Sequence, residues 1–218
     1  MTNFNLNLEK IALATNPNTP AETLKGFAND EDAVIRWEVA SNSNTAVETL
    51  KVLANDENTG VRWEVAYNNK TPAEVLKILA NDKDPVVRSG VTQNPNTPSE
   101  IVRILINEVD ADVRRWVVIT SNPPTEILKI LASDSDANVR RLVVSNDNTP
   151  VEILQTLASD ADAKVRFEVA RNRNYNIIYD ETEFELANSW EETESEEQLF
   201  EDKYRTNFDY KNGDLDNN

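Results

Sequence analysis

Six arginines stand in this sequence at a constant interval of 26 residues: Arg36, Arg62, Arg88, Arg114, Arg140 and Arg166. A guanidinium presents a rigid fork of donors that matches carboxylate or phosphate. Such a row is therefore either a cationic ladder for an anionic ligand or a set of internal ion pairs. Asp32 lies four residues before Arg36, the acid-first order that favours a pair on one helix, and most units repeat the arrangement. A row that does not vary from unit to unit reads as scaffold. The preferred reading is thus a structural Asp–Arg ladder joining neighbouring repeats. The Asp-x-Asp pairs Asp30/Asp32, Asp134/Asp136 and Asp160/Asp162 have the look of calcium ligands. A calcium loop needs Gly at its sixth position and Glu at its twelfth; counted from Asp134, those places hold Val139 and Ser145. Helix capping is the preferred role for these acids.

The chain has 218 residues, no histidine and no cysteine. That removes the usual general base near neutral pH, the thiolate nucleophile and the two commonest soft metal ligands. Its 4 glycines, Gly26, Gly60, Gly90 and Gly213, are scattered, so no phosphate-cradling loop is formed. The expectation is a non-enzyme with no metal and no cofactor.

Other positions change from unit to unit, and these carry the information about a partner. Trp37, Glu38, Trp63, Glu64 and Tyr67 form an aromatic and acidic patch in the first two units. Ser89, Gly90 and Gln93 form a bland notch. Arg115, Trp116 and Ile119, then Arg141 and Leu142, form a basic and apolar stretch, and Phe167, Glu168 and Arg171 close the series. Exposed tryptophan and arginine on one face have the composition of an interaction hot spot. Each tryptophan has a second reading, as packing over the neighbouring unit.

The elements that position these residues follow from the same period. Glu22, Glu48, Glu74, Glu100, Glu126 and Glu152 are also spaced by 26. Thr19-Pro20-Ala21-Glu22 reads as a capping box opening a helix of about nine residues, with Thr as cap and Pro in the first turn. In the fifth unit Pro123 replaces the Thr. Thr23, Leu24, Phe27 and Ala28 face inward. Asp32 caps a second, shorter helix, in which Ile35 and Val39 are the buried pair and Val34, Trp37, Glu38 and Ser41 lie opposite, toward solvent. Asn42 suits a left-handed residue after the helix end. Each helix is too short to be stable alone, so stacking must supply the stability. The fold expected is an all-α solenoid of six 26-residue two-helix repeats over 16–175. Residues 1–15 would form an N-terminal capping half-repeat, and 176–218 an acidic aromatic tail.

The motif N-P-N-T-P-x-E-x-L-K-x-L-A-x-D-x-D-x-x-V-R-x-x-V-A, running over about 10–174, resembles the leucine-rich repeat variant family, a relative in style of HEAT-like α-solenoids. The resemblance implies a right-handed superhelix of paired α and short α or 3₁₀ helices, and no single activity. The family's founding type carries an iron–sulfur cluster on N-terminal cysteines, which this cysteine-free chain does not share.

Net charge is −17. Residues 176–218 hold 14 Asp+Glu and 3 Lys+Arg, while 1–175 hold 25 and 19. An acidic chain repels nucleic acid and anionic membrane at long range. The N-terminus lacks the pattern of a secretion signal, and the expected location is cytoplasmic. Three functions compete. The leading one is a non-catalytic scaffold, a ribbon of about 55–60 Å, binding another protein or a peptide segment through Trp37, Glu38, Trp63, Glu64, Tyr67, Arg115, Trp116, Arg141 and Phe167. The second is a nucleic-acid surface similar in style to alkylpurine DNA glycosylases, built on Arg114, Arg115, Arg140, Arg141, Arg171, Arg173 and Trp116. The third is an inhibitor or immunity-type role for the acidic tail. The tail reads either as a disordered solubilising segment or as one anchored by Phe184, Leu186, Trp190, Leu199 and Phe200 onto the array.

Overall fold

The computed structural model describes residues 2–120 and 123–176, and these are helical throughout apart from short connections. A 14-residue helix, α1 (Thr2–Thr15), is followed by six helix pairs. The first helices of the pairs are α2 (Ala21–Phe27), α4 (Val47–Leu53), α6 (Ala73–Leu79), α8 (Ser99–Leu105), α10 (Thr125–Leu131) and α12 (Val151–Leu157). The second are α3 (Ala33–Ser41), α5 (Thr59–Tyr67), α7 (Pro85–Gln93), α9 (Ala111–Thr120), α11 (Ala137–Ser145) and α13 (Ala163–Arg171), and a short α14 (Arg173–Asn176) follows. Consecutive second helices pack directly on one another from α1 to α13, and the first helices pack between the helices that flank them in the chain, α10 chiefly on α11. The chain is an all-α solenoid.

The apolar pattern explains this stacking. Ile35/Val39, Val61/Val65, Val87/Val91, Val113/Val117, Val139/Val143 and Val165/Val169 are at most 1% exposed. Leu24, Leu50, Leu76, Leu128 and Leu154 from the first helices are fully covered. Burying each such leucine contributes about 2 kcal/mol, which no helix of seven or nine residues could gain alone. The core is therefore one continuous seam shared by all units.

Several local expectations are corrected. The first helices have seven residues and the second nine or ten, the reverse of the order of lengths read from the sequence. Pro20, Pro72, Pro98, Pro124 and Pro150 are the cap residues themselves, and no side chain caps these first helices. The capping box does not form. Thr19 instead donates its hydroxyl to Leu13 O, and Thr45, Thr71, Thr97 and Thr149 donate to Val39, Val65, Val91 and Val143. The threonines tie each first helix to the end of the second helix before it. Their hydroxyls are covered, with Thr45 0% exposed, so the buried carbonyl takes precedence over a local cap that water could serve equally well.

Asn42 is not left-handed; its φ is −69° and ψ 124°. Its side chain has a longer reach than a turn requires. Nδ2 donates to Ala14 O and Asn16 O of the preceding unit, and Oδ1 accepts from the Asn44 amide. Asn68 and Asn94 repeat both inter-unit bonds, and Asn146 and Asn172 repeat the one to Val118 and Val144. Position 120 breaks this row: the Thr120 hydroxyl reaches Thr92 of the preceding second helix and Trp116 O of its own. Pro123, with no hydroxyl, breaks the threonine row a few residues later.

The second-helix caps agree with the sequence. Asp32, Asn58, Asp84, Asp136 and Asp162 accept amides of the first turn, and Asp110 accepts from Asp112.

Candidate functional site: the face of the second helices

The arginine row is the organising polar feature, and its partner is not the acid four residues earlier. Arg36 Nε and Nη2 donate to Asp56 at 2.7 and 2.9 Å, a two-pronged bond to the acid 20 residues further on. Arg62–Asp82, Arg114–Asp134 and Arg140–Asp160 repeat it. In the third unit Arg88 reaches Glu108 through one nitrogen at 3.0 Å, while its Nε is buried without a hydrogen-bond partner among the described residues. Lys10 of α1 stands in the same column and bonds Asp30 at 2.6 Å. Each paired arginine also donates through Nη1 to carbonyls of its own unit, as Arg62 does to Asp56 and Glu57. The expected ladder between repeats exists, with a different acid in it. Arg166 keeps only the carbonyl bonds, to Asp160 and Ala161, among the described residues.

This accounts for the Asp-x-Asp pattern. The first acid takes the arginine fork and the amide two residues on; the second caps the helix. No group of three potential metal-ligating side chains occurs among the described residues. Burial opposes ionisation of Asp56, Asp82 and Asp134, but the arginine hydrogen bond, the backbone amide and nearby positive charge outweigh it, and all three pKa values are lowered. In Asp160 the Arg140 bond is itself the leading cause of a lowered pKa. The same bonds raise Arg36, Arg62, Arg114 and Arg140.

The variable residues lie beside this ladder. Val34 is 52% and Tyr67 43% exposed. Trp37, Glu38, Ser41, Arg115, Trp116, Arg141, Phe167 and Glu168 are half-buried rather than open. Trp63 is also half-buried, and Glu64, expected to face solvent, is only 4% exposed. The reason is the close approach of consecutive second helices, which covers the flanks of each. Trp37 and Trp63 both pack against the core. A Cβ built on Gly60 would lie 3.5 Å from Trp37 Cδ1, and one on Gly90 3.0 Å from Trp63 Cδ1 and 3.1 Å from Ala66 Cβ. The packing reading of these two indoles is therefore correct, and each still keeps one side toward a cavity. Gly90 gives Trp63 its place. Gly90→Ala is expected to lower stability by about 1 kcal/mol, because overpacking against an indole and a backbone-anchored methyl outweighs the gain in helix propensity. Gly26→Ala, with nothing within 4 Å, should raise it by about 0.5–1 kcal/mol. Urea unfolding of the pair checks this; equal signs would contradict the packing account.

The cavity, about 440 Å³, lies between α3, α5 and α7 and is lined by Trp37, Ser41, Trp63, Glu64, Tyr67 and Gln93, among others. Trp63 and Tyr67 stack with ring centroids 5.3 Å apart and planes 5° from parallel. At the other end of the face, Arg171 lies over Phe167, 5.3 Å from the ring centre. Arg115 bonds Asp112 at 2.6 Å and Asp136 at 3.4 Å. Thus Arg114, Arg115 and Arg140, three of the cations offered for nucleic acid, are engaged by carboxylates of the chain itself.

The sequence brought Trp37, Trp63, Glu64 and Tyr67 to one place, and the structure does so too. From the sequence, Asn42 and its equivalents read as helix-end turn residues; in the fold they are inter-unit hydrogen-bond donors. Expectations for 177–218 lie outside the described residues. No described helix is long and apolar enough to cross a membrane.

Stacked helix pairs, an inter-unit arginine ladder and a variable second-helix face define a helical-repeat protein. One solved structure, described as a leucine-rich repeat variant with a novel repetitive protein structural motif, is similar at 30% identity, covering 78% of this chain and 70% of that one, with a TM-score of 0.58. The chain belongs to the leucine-rich repeat variant family. No protein-family model matches it, and no curated protein does.

Proposed function

We propose that this protein is a non-catalytic scaffold that holds another protein on the face of its second helices. The observation carrying this reading is the contrast along that face. Ladder and core positions repeat from unit to unit, whereas the columns of Trp37, Glu38 and Ser41 change chemistry. Aromatic and charged side chains there are partly accessible beside a cavity, which is how binding hot spots are built. The similar solved structure is described as a leucine-rich repeat variant, a repeat protein.

The test compares the full chain with Trp63→Ala/Trp116→Ala as immobilised baits, with nuclease-treated lysate and circular dichroism of both proteins. A discrete protein retained stoichiometrically by the parent and reduced at least tenfold by the double variant, at equal helicity, supports the scaffold. Equal retention by both baits sinks it. Nuclease-sensitive capture would instead favour the nucleic-acid reading.

A further inference from the structure

We infer that the end of the array at Arg166 of α13 is a docking site for the start of the chain's own acidic segment, a carboxylate of 180–185 supplying the last rung of the ladder. The ladder stops one carboxylate short at that end. Arg36, Arg62, Arg88, Arg114 and Arg140 each take a carboxylate from the following unit. Arg166 makes the same carbonyl bonds within its own unit, to Asp160 and Ala161, but no bond to a carboxylate among the described residues. A guanidinium offers a two-pronged fork that a carboxylate fits, and the four complete forks of this chain are used in that way.

The stack delivers the segment to the right place. Tyr175 stands in the threonine column, 26 residues after Thr149. Its amide bonds Asn172 O just as the Thr149 amide bonds Asn146 O. Asn172 still reaches back to Val144 O, and α14 packs on α12 and α13. The register therefore holds to the point where the first helix of a seventh unit would begin, and the chain continues from there. In the complete rungs the acid follows its arginine by 20 residues. Twenty residues beyond Arg166 is Leu186, with Glu185 beside it and Asp180, Glu181 and Glu183 just before. Glu108, the partner of Arg88, shows that a glutamate can serve in this column. About ten residues of chain reach at most about 35 Å, against about 14 Å for the length of α13. Charge agrees: α13 and α14 carry Lys164, Arg166, Arg171 and Arg173 against Glu168, while residues 176–218 hold 14 Asp+Glu against 3 Lys+Arg. A carboxylate so tethered meets the fork at an effective concentration on the order of millimolar. Ordering the segment offsets most of the gain, so proximity reads this contact better than the unfolding midpoint does.

The test is zero-length cross-linking of carboxylate to amine by a carbodiimide, on the full chain carrying Arg166→Lys, with peptide mapping by mass spectrometry. The substitution keeps the charge and supplies the amine. Lys51 and Glu48, 3.0 Å apart on the surface, provide the positive control within the same molecule. The expected result is a cross-link from position 166 to Asp180, Glu181, Glu183 or Glu185, at least tenfold more abundant than any to the acids beyond Trp190. Adding Asp180→Asn/Glu181→Gln/Glu183→Gln/Glu185→Gln, which leaves the described array untouched, should remove it without passing it to the later acids. With the control cross-link formed, three results would overturn the inference: no link from position 166 to the segment, links spread evenly along it, or a link that mixing with isotope-labelled chain shows to join two copies. Circular dichroism of each variant confirms an intact array. No partner enters this experiment, so its outcome is independent of the scaffold reading.

Discussion

Arg62→Ala is expected to lower the unfolding free energy by about 3 kcal/mol, the cost of breaking a buried ion pair by removing one partner. The Arg62 and Asp82 side chains are 5% and 9% exposed. Truncation leaves the Asp82 carboxylate without its guanidinium and frees the carbonyls of Asp56 and Glu57 together. The loss falls at an interface between units, and nearest-neighbour interface terms add directly to the stability of a stacked array. Arg166→Ala removes the same side chain from the same column, but only its two carbonyl bonds occur among the described residues. It should cost about 1 kcal/mol. Urea titration of both variants and of the Arg62→Ala/Asp82→Ala pair measures the coupling. A loss under about 1 kcal/mol for Arg62→Ala would place the ladder with ordinary surface pairs.

Acid should dismantle the array in a defined direction. Asp30, Asp56, Asp82, Asp134 and Asp160 all have lowered pKa values in the fold. An unfolded Asp titrates near 3.9. A carboxylate held below that value contributes stability that is fully present above about pH 5. The contribution is lost as pH falls through the lowered folded value. The unfolded chain takes up the protons first, so the melting temperature should drop steeply below about pH 4, and with five such groups the slope should exceed that of a single site several-fold. Repulsion among the exposed acids relaxes over the same range and acts in the opposite sense. It is screened at about 0.5 M salt, whereas the buried rungs are screened much less. Melting curves at that salt from pH 6 to 3 decide the matter. A midpoint that is flat or rises on acidification would contradict the ladder, and Asp82→Asn should flatten the slope by about one proton.

The sequence made the architecture legible because stacking demands periodicity. Val61 and Val65 face the seam in the second unit for the same reason that Ile35 and Val39 do in the first, and a single aligned reading exposes both. What it did not expose are partners chosen by the stack itself. Asp32 lies the right distance from Arg36 for a helical pair, yet Asp56 wins because only it fits the whole guanidinium fork from the next unit. Thr19 and Glu22 satisfy the local rule for a capping box, but a buried carbonyl six residues back takes the hydroxyl. Asn42 looks like a turn residue until the carbonyls of Ala14 and Asn16 are brought within reach. At the candidate site, the aromatic and acidic cluster was legible as composition. The burial of Glu64 was not, since it depends on how closely α5 is flanked by α3 and α7.

The three rows of inter-unit bonds change their residues near one another. Glu108 replaces aspartate as the partner of Arg88, Thr120 stands in the asparagine row, and Pro123 in the threonine row. In a one-dimensional array, stability is a sum of unit and nearest-neighbour terms, so a run of weak couplings divides the cooperative length. The helices up to Leu105 and those from Thr125 onward are then expected to form two blocks joined through α9, with the Arg114–Asp134 fork as the strong polar bond across that joint. The joint also falls between the aromatic, acidic end of the second-helix face and the Arg141–Phe167 end. Bending at that point changes the angle between two chemically different surfaces while leaving the bonds inside each block intact. A partner spanning both ends would thus be accommodated by adjusting one seam, with the rest of the ribbon kept rigid.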